Sequence, residues 1–207
     1  MAQYFEIHPE NPQPRLISRA IEIITVGGVV VYPTDSSYAL GCQIGEKTAL
    51  DRIRMIRRLD DKHNFTLVCS DLSEIATYAR IDNQGYRLLK SLTPGPYTFI
   101  YQATKQVPRR LLHPKRRAIG IRVPDTPICR ALLSELGQPI LSTTLILPGD
   151  TAPLNDVYEI REAIGHCVDL IIDGGPCGTD PTSVIDMTQD PPTVVRAGKG
   201  DITLFED

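Results

Sequence analysis

The chain is 207 residues long, 42% hydrophobic and 23% charged, with 15 glycines, 17 prolines and no tryptophan. That length supports one sizeable domain with its own core, and the abundance of Ile, Leu and Val excludes a largely disordered chain. No apolar run approaches the roughly 20 residues that span a bilayer, and the first eight residues lack the basic and apolar regions of a secretion signal, so a cytoplasmic protein without membrane attachment is expected.

In chain order, Asn11 or Pro14 opens a helix whose Leu16, Ile17, Ala20, Ile21 and Ile24 recur at helical spacing, and Gly27-Gly28 ends it. Residues 29–32 read as a buried strand stopped by Pro33, and residues 38–42 as another short strand. Residues 48–58 are helical, with Leu50, Ile53 and Ile56 on one side and arginines around the rest. A strand over 65–69 precedes helices near 72–78 and 85–92. Thr93-Pro-Gly-Pro96 is a rigid turn into a strand over 97–102. A strand over 118–123 ends at Pro124; Thr126 then caps a helix through Leu136 that Gly137 stops. Residues 139–147, 168–172, 183–187 and 193–196 supply further strands, with a helix near 157–164. The alternation predicts one α/β domain with a large mixed sheet.

The net charge of -3 conceals an asymmetry. Residues 1–149 carry 19 Lys and Arg against 13 Asp and Glu, whereas residues 150–207 carry 3 against 12. Two clusters stand out: Arg52, Arg54, Arg57, Arg58 and Lys62, and the seven cations from Lys105 to Arg122, among which no acid falls. Each is either a solvated face or a site for phosphate or nucleic acid, because binding follows the local field.

The five cysteines (Cys42, Cys69, Cys129, Cys167, Cys177) never form C-x-x-C and read as reduced core residues. His8, His63, His113 and His166 show no zinc spacing, and no protein-bound metal is predicted. Walker, G-x-G-x-x-G and G-x-S-x-G signatures are absent. Hydroxyl-rich segments instead follow strands: Pro33-Thr-Asp-Ser-Ser37, Thr93-Pro-Gly-Pro-Tyr-Thr98, Leu141-Ser-Thr-Thr144 and Pro181-Thr-Ser183. From the residues alone, this is an α/β domain suited to an anionic ligand, or one whose hydroxyls only cap turns.

Six blocks taken in order resemble the YrdC/YciO family. They are Tyr32-Pro-Thr-Asp-Ser-Ser-Tyr-Ala-Leu-Gly41, Pro94-Gly-Pro-Tyr-Thr98, Ile119-Gly-Ile-Arg-Val-Pro124, Leu141-Ser-Thr-Thr144, Pro181-Thr-Ser-Val-Ile-Asp186 and Val194-Val-Arg-Ala-Gly198. The resemblance covers about residues 12–200; His63-Asn-Phe-Thr66 and Pro108-Arg-Arg-Leu-Leu112 look closest to the YciO branch. It implies a single domain with a twisted, open, mixed β-sheet flanked by helices and a concave basic face. It also implies synthesis of threonylcarbamoyl-AMP from threonine, bicarbonate and ATP with Mg²⁺, for tRNA modification, or binding of double-stranded RNA or tRNA on the concave face.

Carried over by position, the resemblance implies that Thr34, Arg122, Ser142 and Thr182 line a threonine pocket. Arg57, His63, Asn64, Thr144 and Arg196 would face the nucleotide, and Arg109, Arg110, Lys115, Arg116 and Arg117 would contact RNA. No catalytic residue is assigned. The family's Lys-x-Arg reads Arg57-Arg58-Leu59 here, and its Ser-x-Asn reads Thr144-Leu145-Ile146. Weakened or altered synthesis is therefore one expectation; RNA binding without catalysis and a vestigial pocket are the alternatives.

Overall fold

Successive side chains of a strand point to opposite faces, and here the two faces have different coverings. The computed structural model describes residues 1–60, 63–112, 115 and 117–206; Lys62, His113 and Arg116, named above, lie outside them. The strands are β1 (Gln3–Glu6), β2 (Val30–Tyr32), β3 (Ala39–Gln43), β4 (Thr66–Val68), β5 (Tyr97–Gln102), β6 (Ala118–Arg122), β7 (Ile140–Thr144), β8 (Leu170–Asp173), β9 (Ser183–Asp186) and β10 (Thr193–Arg196). Among the described residues they form one mixed sheet in the order β1-β8-β2-β3-β7-β4-β6-β5-β9-β10.

The helices are α1 (Pro14–Thr25), α2 (Lys47–Arg57), α3 (Leu72–Tyr78), α4 (Asn83–Leu92), α5 (Pro127–Leu136) and α6 (Val157–Ile164). Leu50 and Ile53 of α2, Ile75 of α3, Leu89 of α4 and Ile160 of α6 share one core with Val31, Leu40, Leu67, Phe99, Ile121, Leu141 and Ile171. The opposite face packs Ile17, Ala20 and Ile24 of α1 and Ile128, Leu132 and Leu133 of α5 on Val30, Tyr32, Ile140, Leu170 and Ile172. Four helices thus cover one face and two cover part of the other. The rest of that second face, over β4, β5, β6, β7 and β9, presents Thr66, Thr98, Gly120, Arg122 and Ser142 beside the apolar Ile100 and Val184.

Helix ends follow local chemistry. Thr126 accepts from Cys129 N at 3.2 Å to cap α5, and Gly137 ends it at φ 66°. Asp156 caps α6 by accepting from Tyr158 N and Glu159 N. Helix α2 closes differently: Arg58 takes the left-handed conformation at φ 49°, and Leu59 N donates back to Arg54 O at 3.0 Å. The sequence pattern missed β1, a short strand that pairs in parallel with β8 at the sheet edge. Its four residues carry too little periodicity to announce a strand without that partner. Among the described residues, no helix is long and apolar enough to cross a membrane.

Candidate functional site

The bare part of the second face is the floor of a cleft of about 250 Å³. Strand register builds it. Gly41 pairs with Ser142, Ser142 with Thr66, Thr66 with Gly120, and Gly120 with Ile100, so one row of the sheet runs across the floor. Thr98, Arg122, Thr144 and Val184 add neighbouring rows. Leu67, Phe99, Ile121, Leu141 and Ile185, the alternating residues, face the helix-covered core instead. Gly120 holds the floor open: a Cβ there would sit 2.9 Å from Thr66 Oγ1 and 3.2 Å from Thr98 Cγ2.

Every residue expected to meet threonine or nucleotide lines this one cleft: Thr34, Arg57, His63, Asn64, Arg122, Ser142, Thr144, Thr182 and Arg196. Three loops, the last residue of α2 and the strands β6, β7 and β10 bring them together from positions 34 to 196. Thr34 leads the turn after β2. Its hydroxyl donates to Ser37 O at 2.6 Å and accepts from the N–H groups of Ser36 and Ser37, so it shapes the turn. Ser142 accepts from Tyr32 Oη at 2.7 Å and lies 3.2 Å from Leu40 O, to which it donates. Burial pushes the Tyr32 phenol far up, which keeps it a donor.

The guanidinium groups are held at three points. Arg57, the last residue of α2, donates through Nε to Ile146 O at 2.7 Å and through Nη1 to Thr143 Oγ1 at 2.8 Å. Arg196, the last residue of β10, donates through Nε and Nη2 to Thr182 O at 3.0 and 2.8 Å. The Thr182 hydroxyl in turn pairs with that of Thr98 at 2.9 Å. Arg122 donates through Nη2 to Ser36 Oγ at 3.1 Å and forms an ion pair with Asp35. Its Nε is buried without a hydrogen-bond partner.

The charges in the cleft are of one sign. Burial, and then the charge of Arg196, lowers the pKa of Arg57; burial, and then Arg122, lowers that of Arg196. Among the described lining residues there is no carboxylate. His63, whose Nε2 lies 3.1 Å from Thr143 Oγ1, is depressed to about 4 by burial and by Arg57, and is neutral at pH 7. An anion that neutralises these groups relieves the repulsion; a carboxylate or phosphate suits the donor forks.

Sequence reasoning missed the floor residues Thr66, Ile100 and Gly120 and the anchor Thr143, which holds both Arg57 and His63. A period-two reading of polar and glycine positions within apolar strands would have found the floor. The departures also take definite places. Ile146 lines the cleft, and its carbonyl serves Arg57; Leu59 is partly buried against the helix-covered core and is not a lining residue. Cys42, Cys69 and Cys129 are buried and unpaired, and burial raises Cys42 and Cys129 to about 12, which removes them as nucleophiles at neutral pH.

Of the expected RNA contacts, the described ones do not line this cleft. Arg109 and Arg117 line a separate groove that shares no residue with the cleft, Arg110 and Lys115 are exposed outside both, and Arg116 falls outside the described residues. Val107 and Leu111 pack into the helix-covered core, which carries the neighbouring Arg109 and Arg110 away from the cleft.

Comparison with known proteins agrees with this fold. Residues 22–198 match the Sua5/YciO/YrdC family model, described as telomere recombination. The chain is 58% identical to the YciO protein of Escherichia coli across 99% of this chain and 100% of that one. Its fold superposes on the E. coli YciO crystal structure with a TM-score of 0.97 over the whole of both chains, at 57% identity. A threonylcarbamoyl-AMP synthase of Coxiella burnetii is 28% identical over 82% of this chain and 91% of its own length. Sua5 of P. abyssi, crystallised with L-threonine, has the same fold at a TM-score of 0.88, with 24% identity over 95% of this chain and 58% of that one.

Proposed function

Because the chain belongs to the Sua5/YciO/YrdC family, we propose that its cleft binds ATP beside threonine and forms threonylcarbamoyl-AMP, with weaker or altered turnover. The observation that carries this reading is the convergence of Arg57, Arg122 and Arg196 on a hydroxyl-floored cleft with no lining carboxylate among the described residues.

In the proposed reaction, the threonine amine condenses with bicarbonate, losing water, and a carbamate oxygen attacks the α-phosphorus of ATP. A new P–O bond forms as the bond to the bridging oxygen breaks, and pyrophosphate leaves. Negative charge grows around the α-phosphorus and on the leaving group, where fixed guanidinium charge is most effective. Arg57 and Arg196 take that role, with Thr144, His63 and Asn64 beside the nucleotide. Arg122, with Thr34, Ser142 and Thr182, holds the amino-acid carboxylate.

Mg²⁺ would enter with the ATP substrate, because the described lining residues offer it hydroxyls and no carboxylate. The cleft, at about 250 Å³, is smaller than the roughly 300–1,000 Å³ typical of sites for drug-sized ligands. An amino acid and a phosphate group fill it, and the nucleoside projects from its mouth. The apolar Ile146 side chain beside the nucleotide position supports a reduced rate, since a lost polar partner costs about 1–3 kcal/mol.

The test is a calorimetric titration with MgATP, with and without threonine and bicarbonate, on the parent and Arg196→Ala. The parent should bind ATP, and the variant should bind roughly tenfold to a hundredfold more weakly. Equal binding by both, or none by either at millimolar ATP, rejects the nucleotide site. ATP binding without pyrophosphate release dependent on threonine and bicarbonate rejects the synthase reading and leaves a binding role.

A further inference from the structure

The reaction proposed for the cleft leaves one proton over. An ammonium group and bicarbonate give a carbamate, a water and a proton, and attack of the carbamate on the α-phosphorus does not consume that proton. At neutral pH a positioned base speeds its removal. Among the described lining residues, the ionisable side chains are Arg57, His63, Arg122 and Arg196. Arginine stays protonated, so of these only His63 can accept a proton.

The hydrogen bonds around the ring give it a route. Thr143 Oγ1 accepts from Arg57 Nη1 at 2.8 Å and lies 3.1 Å from His63 Nε2. A guanidinium only donates, so the single proton of the Thr143 hydroxyl is directed at Nε2, and the neutral ring carries its own proton on Nδ1. Thr143 also lines the cleft. It stands in β7 between Ser142, on the amino-acid side of the cleft, and Thr144, on the nucleotide side, which is where the two substrates would meet.

The charged groups acting on the ring are Arg57 and Arg54 of α2 and Asp60 beyond it; Phe65 stands edge-on to it, and β7 contributes the uncharged Thr143. Asp60 is not a lining residue. Burial and Arg57 hold the ring at about 4, with Asp60 opposing them and Arg54 assisting. Anionic substrates beside Arg57 offset its charge and raise the proton affinity of the ring while they are bound. Once the products leave, the affinity falls again and the proton passes to solvent.

We propose that Thr143 and His63 form a proton relay for carbamate formation. The threonine ammonium gives one proton to Thr143 Oγ1 as the Thr143 hydroxyl passes its own to His63 Nε2. The freed lone pair on nitrogen forms the C–N bond to bicarbonate. A second nitrogen proton leaves with the bicarbonate hydroxyl as water when that C–O bond breaks, and the carbamate remains. Arg57, bonded to the same Thr143 oxygen, disfavours a second proton staying on it and so drives the transfer onward. The relay rests on the synthase reading of the cleft.

His63→Gln, Thr143→Val and Thr143→Ser test it. With MgATP, threonine and bicarbonate saturating, pyrophosphate release at pH 7 should fall about a hundredfold to ten-thousandfold in the first two and stay near the parent rate in Thr143→Ser, which keeps the hydroxyl. Turnover of the parent should decline on acidification as His63 becomes protonated in the complex. That limb should vanish in His63→Gln, and added imidazole should recover part of the lost rate; a merely structural role would produce neither effect. Calorimetry with MgATP reports whether each variant is folded. Nitrogen NMR of the free parent needs no variant and no turnover, and it should show a ring protonated on Nδ1 and bare on Nε2. Undiminished turnover in folded His63→Gln or Thr143→Val overturns the relay alone, as does a neutral ring protonated on Nε2. No threonine-dependent pyrophosphate release by the parent overturns the synthase reading, and the relay with it.

Discussion

Arg122 donates through Nη2 to the carboxylate of Asp35, and the two side chains are only 8% and 11% exposed. Asp35 also accepts from Asp125 N at 3.1 Å, and its own carbonyl accepts from Lys199 Nζ. One acidic residue therefore ties the turn after β2 to the end of β6 and to the segment after β10. Gly198 lets the same segment pack on the Pro181–Thr182 backbone: a Cβ there would lie 2.3 Å from Pro181 O. Of the three arginines in the cleft, only Arg122 has an acidic partner among the described residues.

Removing that charge should be costly. Breaking a buried pair from one side typically costs about 3–5 kcal/mol, and Asp35→Asn, which preserves shape and one acceptor, should fall near the lower end. Denaturant unfolding measures the loss, and a saturating anion should restore part of it. An unchanged midpoint would mean that the pair does not hold the cleft wall.

Gly120→Ala tests the floor. The added methyl meets Thr66 Oγ1 at 2.9 Å and Phe65 O at 3.2 Å. Overpacking of this kind costs about 1–3 kcal/mol, and the methyl also occupies ligand space. Ligand affinity measured by calorimetry should fall by more than melting predicts; a stability loss with undiminished affinity would remove Gly120 from the site.

The pH response follows from His63, which stands edge-on to Phe65 at 5.1 Å between ring centroids. Burial and Arg57 hold it at about 4, against an ordinary 6.5, so the unfolded chain binds more protons between those values. This group's contribution to stability is then full above pH 6.5 and is lost as the pH falls towards 4. An anion beside Arg57 raises the His63 pKa, so ligand binding should take up a proton and strengthen as the pH falls through the same window. His63→Gln should abolish both dependences. Proton uptake is read from calorimetry in buffers of different ionisation enthalpy.

Leu59 and Ile146 should behave differently when exchanged for the family's Arg and Asn. Leu59 packs against the core, so Leu59→Arg should lower stability, by about 1–3 kcal/mol as a typical core-edge loss, without improving nucleotide binding. Ile146→Asn places an amide in the cleft lining and should raise pyrophosphate release that requires threonine and bicarbonate. A gain from Leu59→Arg alone would show that the α2 C-terminus rearranges around ligand.

Periodicity and punctuation carried most of the fold. Val29, Val31, Leu40 and Leu67 alternate with residues for the other face; Thr126 and Gly137 bound α5, as their capping chemistry dictates. The family resemblance named nine residues that line the cleft, but neither it nor periodicity named Thr66, Ile100, Gly120 or Thr143. Three things depended on contacts remote in sequence. Gln3–Glu6 becomes β1 only by pairing with β8. Asp35 and Arg122 stand 87 residues apart and meet because the sheet order sets their strands near one cleft. Lys105 and Arg109, part of one basic block in sequence, are carried away from the cleft because Val107 and Leu111 bury themselves on the opposite side of the sheet. Local sequence decides which face a residue takes and where an element stops; which faces remain uncovered, and which charges meet there, is set by strand order and by the packing of the helices.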